Sequence, residues 1–151
     1  MKKTSLLPKN VALEPLSFLL GKWNVEMVHA QLPEPLTWQD SVELLENAFI
    51  LWHWQGKNEV PQATFIIGRN ENKSDNLYSA LYYDARGVSR FMHMSFENGT
   101  WRFGRNDPEF SQRFEGKVSE DGNVITGNGD ASKDGGKTWK HDYSITYRRI
   151  K

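Results

Sequence analysis

The chain has 151 residues, with 19 basic and 19 acidic side chains and no cysteine. This length suits one domain that buries a core without cross-links, and the lack of cysteine excludes disulfides and thiolate chemistry. The sequence has no basic stripe of the kind that nucleic-acid-binding proteins carry, and no stretch approaches the roughly 18 apolar residues of a membrane-spanning helix. The start of the chain lacks the continuous apolar core of a signal peptide, so we expect a cytoplasmic protein.

A short helix is the first predicted element. In the segment 15–20 the leucines recur at helical spacing, Pro15 suits a first helical turn, and Gly21 suits a stop. We expect residues 1–14 to form a flexible or loosely packed arm of a single domain that spans residues 1–151. A strand-like stretch, Trp23 to Met27, follows the helix.

Strand-length runs and turns make up the rest of the chain. The predicted turns are Glu46-Asn47, Asp84 to Gly87, Asn98-Gly99, Glu120 to Gly122 and Asp134 to Gly136. About ten strands in one antiparallel meander are typical of a closed up-and-down barrel, in which no strand edge is exposed. Aromatic residues, 13% of the chain, favour strands and would fill its core. The fold class predicted is therefore all-β.

Two central hairpins predict which side chains point inward. A two-residue Asn98-Gly99 loop pairs Glu97 with Thr100, and a type I turn with a glycine bulge pairs Asp84 with Val88. Together these registers place nine side chains on one inward face, joined by Arg105: Tyr78, Ala80, Tyr82, Arg90, Met92, Met94, Phe96, Trp101 and Phe103. The outward face is mainly polar, but it also carries Leu77, Leu81, Tyr83 and Phe91.

The Glu46-Asn47 turn predicts an interface. As a two-residue loop it pairs Val42 with Leu51 and Asp40 with His53, which puts a second set of side chains outside: Ile50, Trp52 and Trp54. An exposed aromatic patch favours self-association, so a homodimer through these residues is predicted. A shift of the register by one residue would place them in the core instead.

The last hairpin has two open registers. A two-residue Gly135-Gly136 loop pairs Thr126 with Ile145, Asn128 with Tyr143 and Asp130 with His141. A three-residue loop would rotate the pairing by one residue. The first is preferred because it unites Val124 and Thr126 with the apolar residues of the last strand.

The two ends of the chain carry a resemblance. Gly21-Lys22-Trp23 opening the first strand, and Tyr147-Arg148-Arg149 closing the last, resemble the calycin superfamily of barrels. The resemblance implies that Arg149, with Arg148 as the alternative, packs on Trp23 at the barrel base. With the segments 18–23, 83–88, 93–99 and 134–139, the chain resembles a bacterial calycin-like domain family of unknown function. That family has no settled activity. Nitrobindins and fatty-acid-binding proteins share the general architecture, without a close match to the nitrobindin haem-site motifs.

Arg90 and Tyr82 are the first candidate site. A guanidinium inside an apolar barrel must be paired or hydrated, and the resemblance to lipid-binding barrels implies that it holds a ligand carboxylate. The walls of that site would be Met92, Met94, Trp101, Phe103 and Arg105. The structural alternative is a bond from Arg90 to Asp84 or to a main-chain carbonyl. The leading prediction is a protein that binds a small, largely apolar, anionic ligand without catalysis.

Two histidine–carboxylate pairs give the alternative functions. His53 with Asp40, or His141 with Asp130, would orient an imidazole inside the barrel for acid–base catalysis, although no nucleophile accompanies either pair. An inward His141 would alternatively be an axial haem ligand. A barrel filled by its own side chains, acting as a structural or interaction module, is the third alternative. No metal or cofactor is predicted from ligand spacing.

Overall fold

The computed structural model describes residues 13–56, 60–71 and 77–151, so most of the predicted N-terminal arm lies outside the described residues. A 3₁₀ helix, Glu14–Leu19, stands where the short helix is predicted. Ten strands follow: β1 Gly21–His29, β2 Leu36–Leu45, β3 Phe49–Trp54, β4 Ala63–Arg69, β5 Leu77–Asp84, β6 Ser89–Glu97, β7 Thr100–Arg105, β8 Ser111–Val118, β9 Val124–Ser132 and β10 Lys140–Arg149.

The strands form a closed antiparallel barrel, as predicted. Each strand pairs with its neighbours in the chain, and β1 pairs with β10 to close the sheet. Closure leaves no free strand edge, so the barrel meets other molecules through side chains. Within residues 13–56, 60–71 and 77–151, no helix has the length and apolar character needed to cross a membrane.

The barrel has two different ends. The 3₁₀ helix covers the end where β1 begins and β10 finishes, and its Phe18 ring packs 4.7 Å from Phe96 and 6.1 Å from Trp101. We call this the helix end. The opposite end, where β5 turns into β6 and β7 turns into β8, is called the far end; there the inward side chains Arg90 and Tyr143 are only partly buried.

The two central hairpins have the predicted register. Glu97 opposes Thr100 and Met94 opposes Phe103 across β6 and β7. Between β5 and β6, Tyr82 opposes Arg90, and the Asp84 N–H donates to the Val88 carbonyl over 2.9 Å. The predicted inward face is therefore present, with Trp101 fully buried at its centre.

The predicted register between β2 and β3 is wrong by one residue. Leu45 pairs with Phe49, so the loop has three residues, and both Glu46 and Asn47 adopt φ of 52°. One extra loop residue turns every β3 side chain to the other face. Ile50 and Trp52, each 1% exposed, are therefore core, and the half-buried Trp54 packs against that core. The predicted interface through Ile50, Trp52 and Trp54 does not exist.

The predicted register between β9 and β10 is also wrong along most of its length. Gly127 opposes Ile145 and Gly129 opposes Tyr143, while an irregularity after His141 preserves the predicted pairing of His141 with Asp130. Two inward residues of β9, Gly127 and Gly129, are glycines because aromatic rings occupy the space that a side chain would need. A Cβ added to Gly127 would lie 2.5 Å from Phe114 Cζ, and one on Gly129 would lie 2.2 Å from Tyr143 Cε1.

Candidate functional site

The helix end is held by Arg149. Its Cζ lies 4.3 Å from the centroid of the Trp23 ring, which is 1% exposed. The guanidinium also donates to the carbonyls of Phe18, Leu20 and Gly122. The contact that the resemblance implies is present, and it ties the 3₁₀ helix and the β8–β9 turn to the closing strand pair.

Aromatic side chains fill the middle of the barrel. The Trp52 ring lies 4.5 Å from the Phe65 ring and 5.4 Å from the Trp101 ring, measured between centroids. Met94 is 2% exposed and Trp101 is not exposed at all. These two predicted ligand-lining residues therefore belong to a packed core, and any interior ligand site lies between this core and the far end.

Arg90 stands at that far end, and its guanidinium rests on two aromatic rings. Its Cζ lies 5.1 Å from the Tyr82 ring centroid and 5.5 Å from the Phe110 ring centroid. Within the described ranges, no carboxylate lies close enough to Arg90 for an ion pair. Burial lowers the pKa of the Arg90 guanidinium, since removal from water disfavours its charge. A partly desolvated cation on aromatic faces has the chemistry to hold an anion through charge-assisted contacts.

Asp84, the predicted structural partner of Arg90, is occupied by other groups. The Tyr82 hydroxyl donates to Asp84 Oδ2 over 2.5 Å, and Arg86 Nη2 lies 2.7 Å from the same oxygen. The Arg86 hydrogen bonds hold the pKa of Asp84 well below its usual range, whereas burial, followed by the bond to Asp84, raises the pKa of Tyr82 to about 12. Tyr82 therefore offers Arg90 the face of its ring, while its hydroxyl is committed to Asp84.

Arg105 supports the site indirectly. Its guanidinium donates to the Phe110 carbonyl over 2.9 Å and to Asp107 Oδ2 over 3.0 Å. These bonds fix the loop between β7 and β8, and with it the Phe110 ring that lies against Arg90. Because Asp107 compensates its charge, Arg105 is a positioning residue here. The sequence did not point to Phe110, since it lies in a loop outside the alternation of either strand.

Two buried indole donors in the interior lack partners among the described residues. They are the indole nitrogens of Trp54 and Trp101. Buried polar groups are normally paired with protein or water, so the unpaired indole nitrogen of Trp54 marks a position for a bound molecule, whereas that of Trp101 lies inside the packed core. Burial raises the pKa of the Tyr143 and Tyr147 phenols.

Asp40 and His53 do not form the predicted interior pair. Asp40, 2% exposed, accepts from the indole nitrogens of Trp38 (2.8 Å) and Trp52 (3.0 Å) and from the Gln55 main chain (3.0 Å). Burial raises its pKa to about 6, and those hydrogen bonds limit the rise. His53 lies on the outer face, 3.3 Å from Glu43. The corrected β2–β3 register separates the two side chains.

His141 and Asp130 are paired, but outside the barrel. His141 Nδ1 lies 3.8 Å from Asp130 Oδ1, and Arg113 Nε lies 3.0 Å from the other carboxylate oxygen. The His141 side chain is 52% exposed and points outward. Both predictions for it, an interior base and an axial haem ligand, are therefore wrong. An unpredicted pair, His29 with Asp142 at 3.3 Å, lies at the far end. The described side chains contain no cluster suited to a metal ion.

A surface cleft of about 650 Å³ follows β6 to β9. Outward side chains line most of it, among them His93, Arg102, Arg113, Glu115 and Trp139, and the inward residues Met94, Phe103 and Phe114 also contribute. Two of these residues already form an ion pair, Arg102 with Glu115 at 2.6 Å. The candidate functional site is therefore the group around Arg90 at the far end.

Comparison with known proteins identifies the fold alone. No protein-family model matches the chain. No curated protein has a similar sequence. The structure is similar to the crystal structure of Rv2717c from M. tuberculosis, with a TM-score of 0.64 over 93% of this chain and 98% of that one. The two sequences are 12% identical, so the similarity extends to the barrel architecture and carries no site residue with it.

Proposed function

We propose that this chain is a calycin-like barrel that binds a small, largely apolar anion at the far end of its interior. The observation that carries the proposal is the partly buried guanidinium of Arg90, which rests on the rings of Tyr82 and Phe110 without a carboxylate partner in the described structure. A ligand carboxylate would supply the missing charge. The contact of Trp23 with Arg149 supports the calycin assignment.

The packing of the interior limits the ligand. The aromatic core around Trp52 fills the barrel beyond Met92 and Phe103, so the apolar part of the ligand is short. Met92 and Phe103, 4% and 9% exposed, would contact that part, and the Tyr143 hydroxyl would donate to its polar end. Binding without catalysis is favoured, because the described histidines of both predicted catalytic pairs lie on the outer surface.

Octanoate and octan-1-ol test the proposal, since they share a short chain and differ in charge. Calorimetry should show binding of octanoate, and Arg90→Met should weaken it by about tenfold or more through loss of a charge-assisted bond. The control is Arg102→Met, which removes an equal charge from the outer face and should leave binding unchanged.

A wild type that binds neither compound, or an Arg90→Met variant with unchanged octanoate affinity, would contradict the proposal. The first result would favour a barrel filled by its own side chains. Native mass spectrometry of the purified protein would reveal a ligand retained from the cell. A cytoplasmic location stays a prediction, which cell fractionation tests.

A further inference from the structure

The outer surface of β4, β5 and β6 carries exposed apolar side chains. In the direction across the strands, Ile66 lies opposite Leu81, and Leu81 lies opposite Phe91. Phe91 is 77% exposed, the most of any large apolar side chain in the described residues. We call this surface the apolar outer face and define it by five residues: Ile66, Leu77, Leu81, Tyr83 and Phe91.

The apolar outer face is free of formal charge apart from histidine. The other outward positions of β4, β5 and β6, counted along β6 as far as Ser95, are Thr64, Gly68, Ser79, Ser89, His93 and Ser95. The outer face of β8, by contrast, presents Arg113, Glu115 and Lys117 in alternation. Depletion of charge together with exposed aromatic groups is the composition of an interface core.

The size of the face also fits an interface. Leu77, Leu81, Tyr83 and Phe91 are between 37% and 77% exposed. Taking about 200 Å² for a fully exposed side chain of this size, they present roughly 400 Å² of apolar side chain. A standard interface takes about 800 Å² from each partner, and the small polar residues between them would supply the remainder.

We infer that the apolar outer face joins two copies of this chain in a symmetric dimer centred on Leu81. A face without lysine, arginine, aspartate or glutamate meets a second copy of itself without like-charge repulsion, so a two-fold contact there carries no electrostatic penalty. An anionic membrane surface would instead favour basic residues, which this face does not carry. The inference is independent of the Arg90 site, and Arg90→Met should remain a dimer.

Sedimentation velocity across a wide range of protein concentration tests the inference. The wild type should sediment as a dimer, and Phe91→Lys and Leu81→Lys should each weaken association by about tenfold or more, because each places a cation at the centre of the contact. Val28→Lys is the matched control. It makes the same kind of change at a 52% exposed position on β1 and should leave the dimer intact.

Two results would overturn the inference. One is a wild type that stays monomeric at the highest soluble concentration. The other is association of Phe91→Lys equal to that of Val28→Lys. Circular dichroism establishes that each variant is folded, and Phe91→Lys decides alone if Leu81→Lys does not fold, since the Phe91 side chain projects into solvent in the single chain.

Discussion

Arg149 stacks over Trp23 with 4.3 Å between the guanidinium carbon and the ring centroid. The same side chain donates to Phe18, Leu20 and Asn123, so one residue near the C-terminus contacts the helix, the first strand and the β8–β9 turn. Trp23 contributes a second link, because its indole nitrogen donates to the Leu19 carbonyl over 2.8 Å. Barrel closure and helix docking therefore depend on the same pair of side chains.

Replacing this arginine should destabilise the fold. Arg149→Met leaves several main-chain carbonyls at the helix end without their donor, which should lower the free energy of unfolding by about 2 to 4 kcal/mol. Arg148→Met is the control, because Arg148 is exposed on the outer face of the same strand. Urea unfolding followed by tryptophan fluorescence measures both. Equal stability of the two variants would show that the Trp23 contact contributes little.

Arg86 and Arg90 should respond in opposite ways to loss of charge. Arg86→Met leaves the fully buried Asp84 carboxylate without its cation and should cost about 2 kcal/mol, reduced from the buried-pair range because Arg86 is itself half exposed. Arg90→Met removes a cation that forms no ion pair among the described residues, so stability should change by less than about 1 kcal/mol or rise. Thermal unfolding compares them, and a larger loss for Arg90→Met would identify Arg90 as structural.

Asp40 should make stability depend on pH in an unusual direction. Its pKa is raised from 3.8 to about 6, so between these values the folded state holds a proton that the unfolded state releases. The stabilisation that comes from binding this proton is therefore fully present below about pH 4 and is lost as the pH rises through about 6. Asp40→Asn cannot titrate. The free energy of unfolding of the wild type, relative to that of the variant, should therefore rise by roughly 1 to 3 kcal/mol from pH 7 to pH 4.

Fluorescence gives a second measurement of the same group. Because Trp38 and Trp52 both donate to Asp40, tryptophan emission of the folded wild type should change with a midpoint near pH 6, and that transition should be absent from Asp40→Asn. Emission that is constant between pH 7 and pH 5 would contradict the raised pKa.

Gly129 should be intolerant of any side chain. A methyl group there would lie 2.2 Å from the Tyr143 ring, so Gly129→Ala must push that ring toward the barrel centre at a cost of about 1 to 3 kcal/mol. The displaced ring should also weaken octanoate binding. Thr126→Ala, at an outward position of the same strand, is the control. Near-ultraviolet circular dichroism would report the movement, and an unchanged spectrum with unchanged stability would count against the close packing.

The sequence was sufficient where the turn residues specify one loop geometry. Asn98-Gly99 and the segment Asp84 to Gly87 each fix a register within a few residues, and the inward face that they predict is present. The contact between the chain ends was also foreseen, but through resemblance. Local turn chemistry determines register because only a few backbone conformations join two strands over so short a loop.

Only the tertiary structure decided the remaining faces. The β2–β3 loop takes Ala48 as a third residue, and this buries Trp52 against Phe65 of the next strand and against Trp101 of β7, far along the chain. On β9, Gly127 and Gly129 point inward because the Phe114 and Tyr143 rings fill the space that a side chain would occupy. Hydrophobicity alone predicts that these two positions face outward. Both outcomes depend on volume inside the closed barrel, and that volume exists only once all ten strands have met.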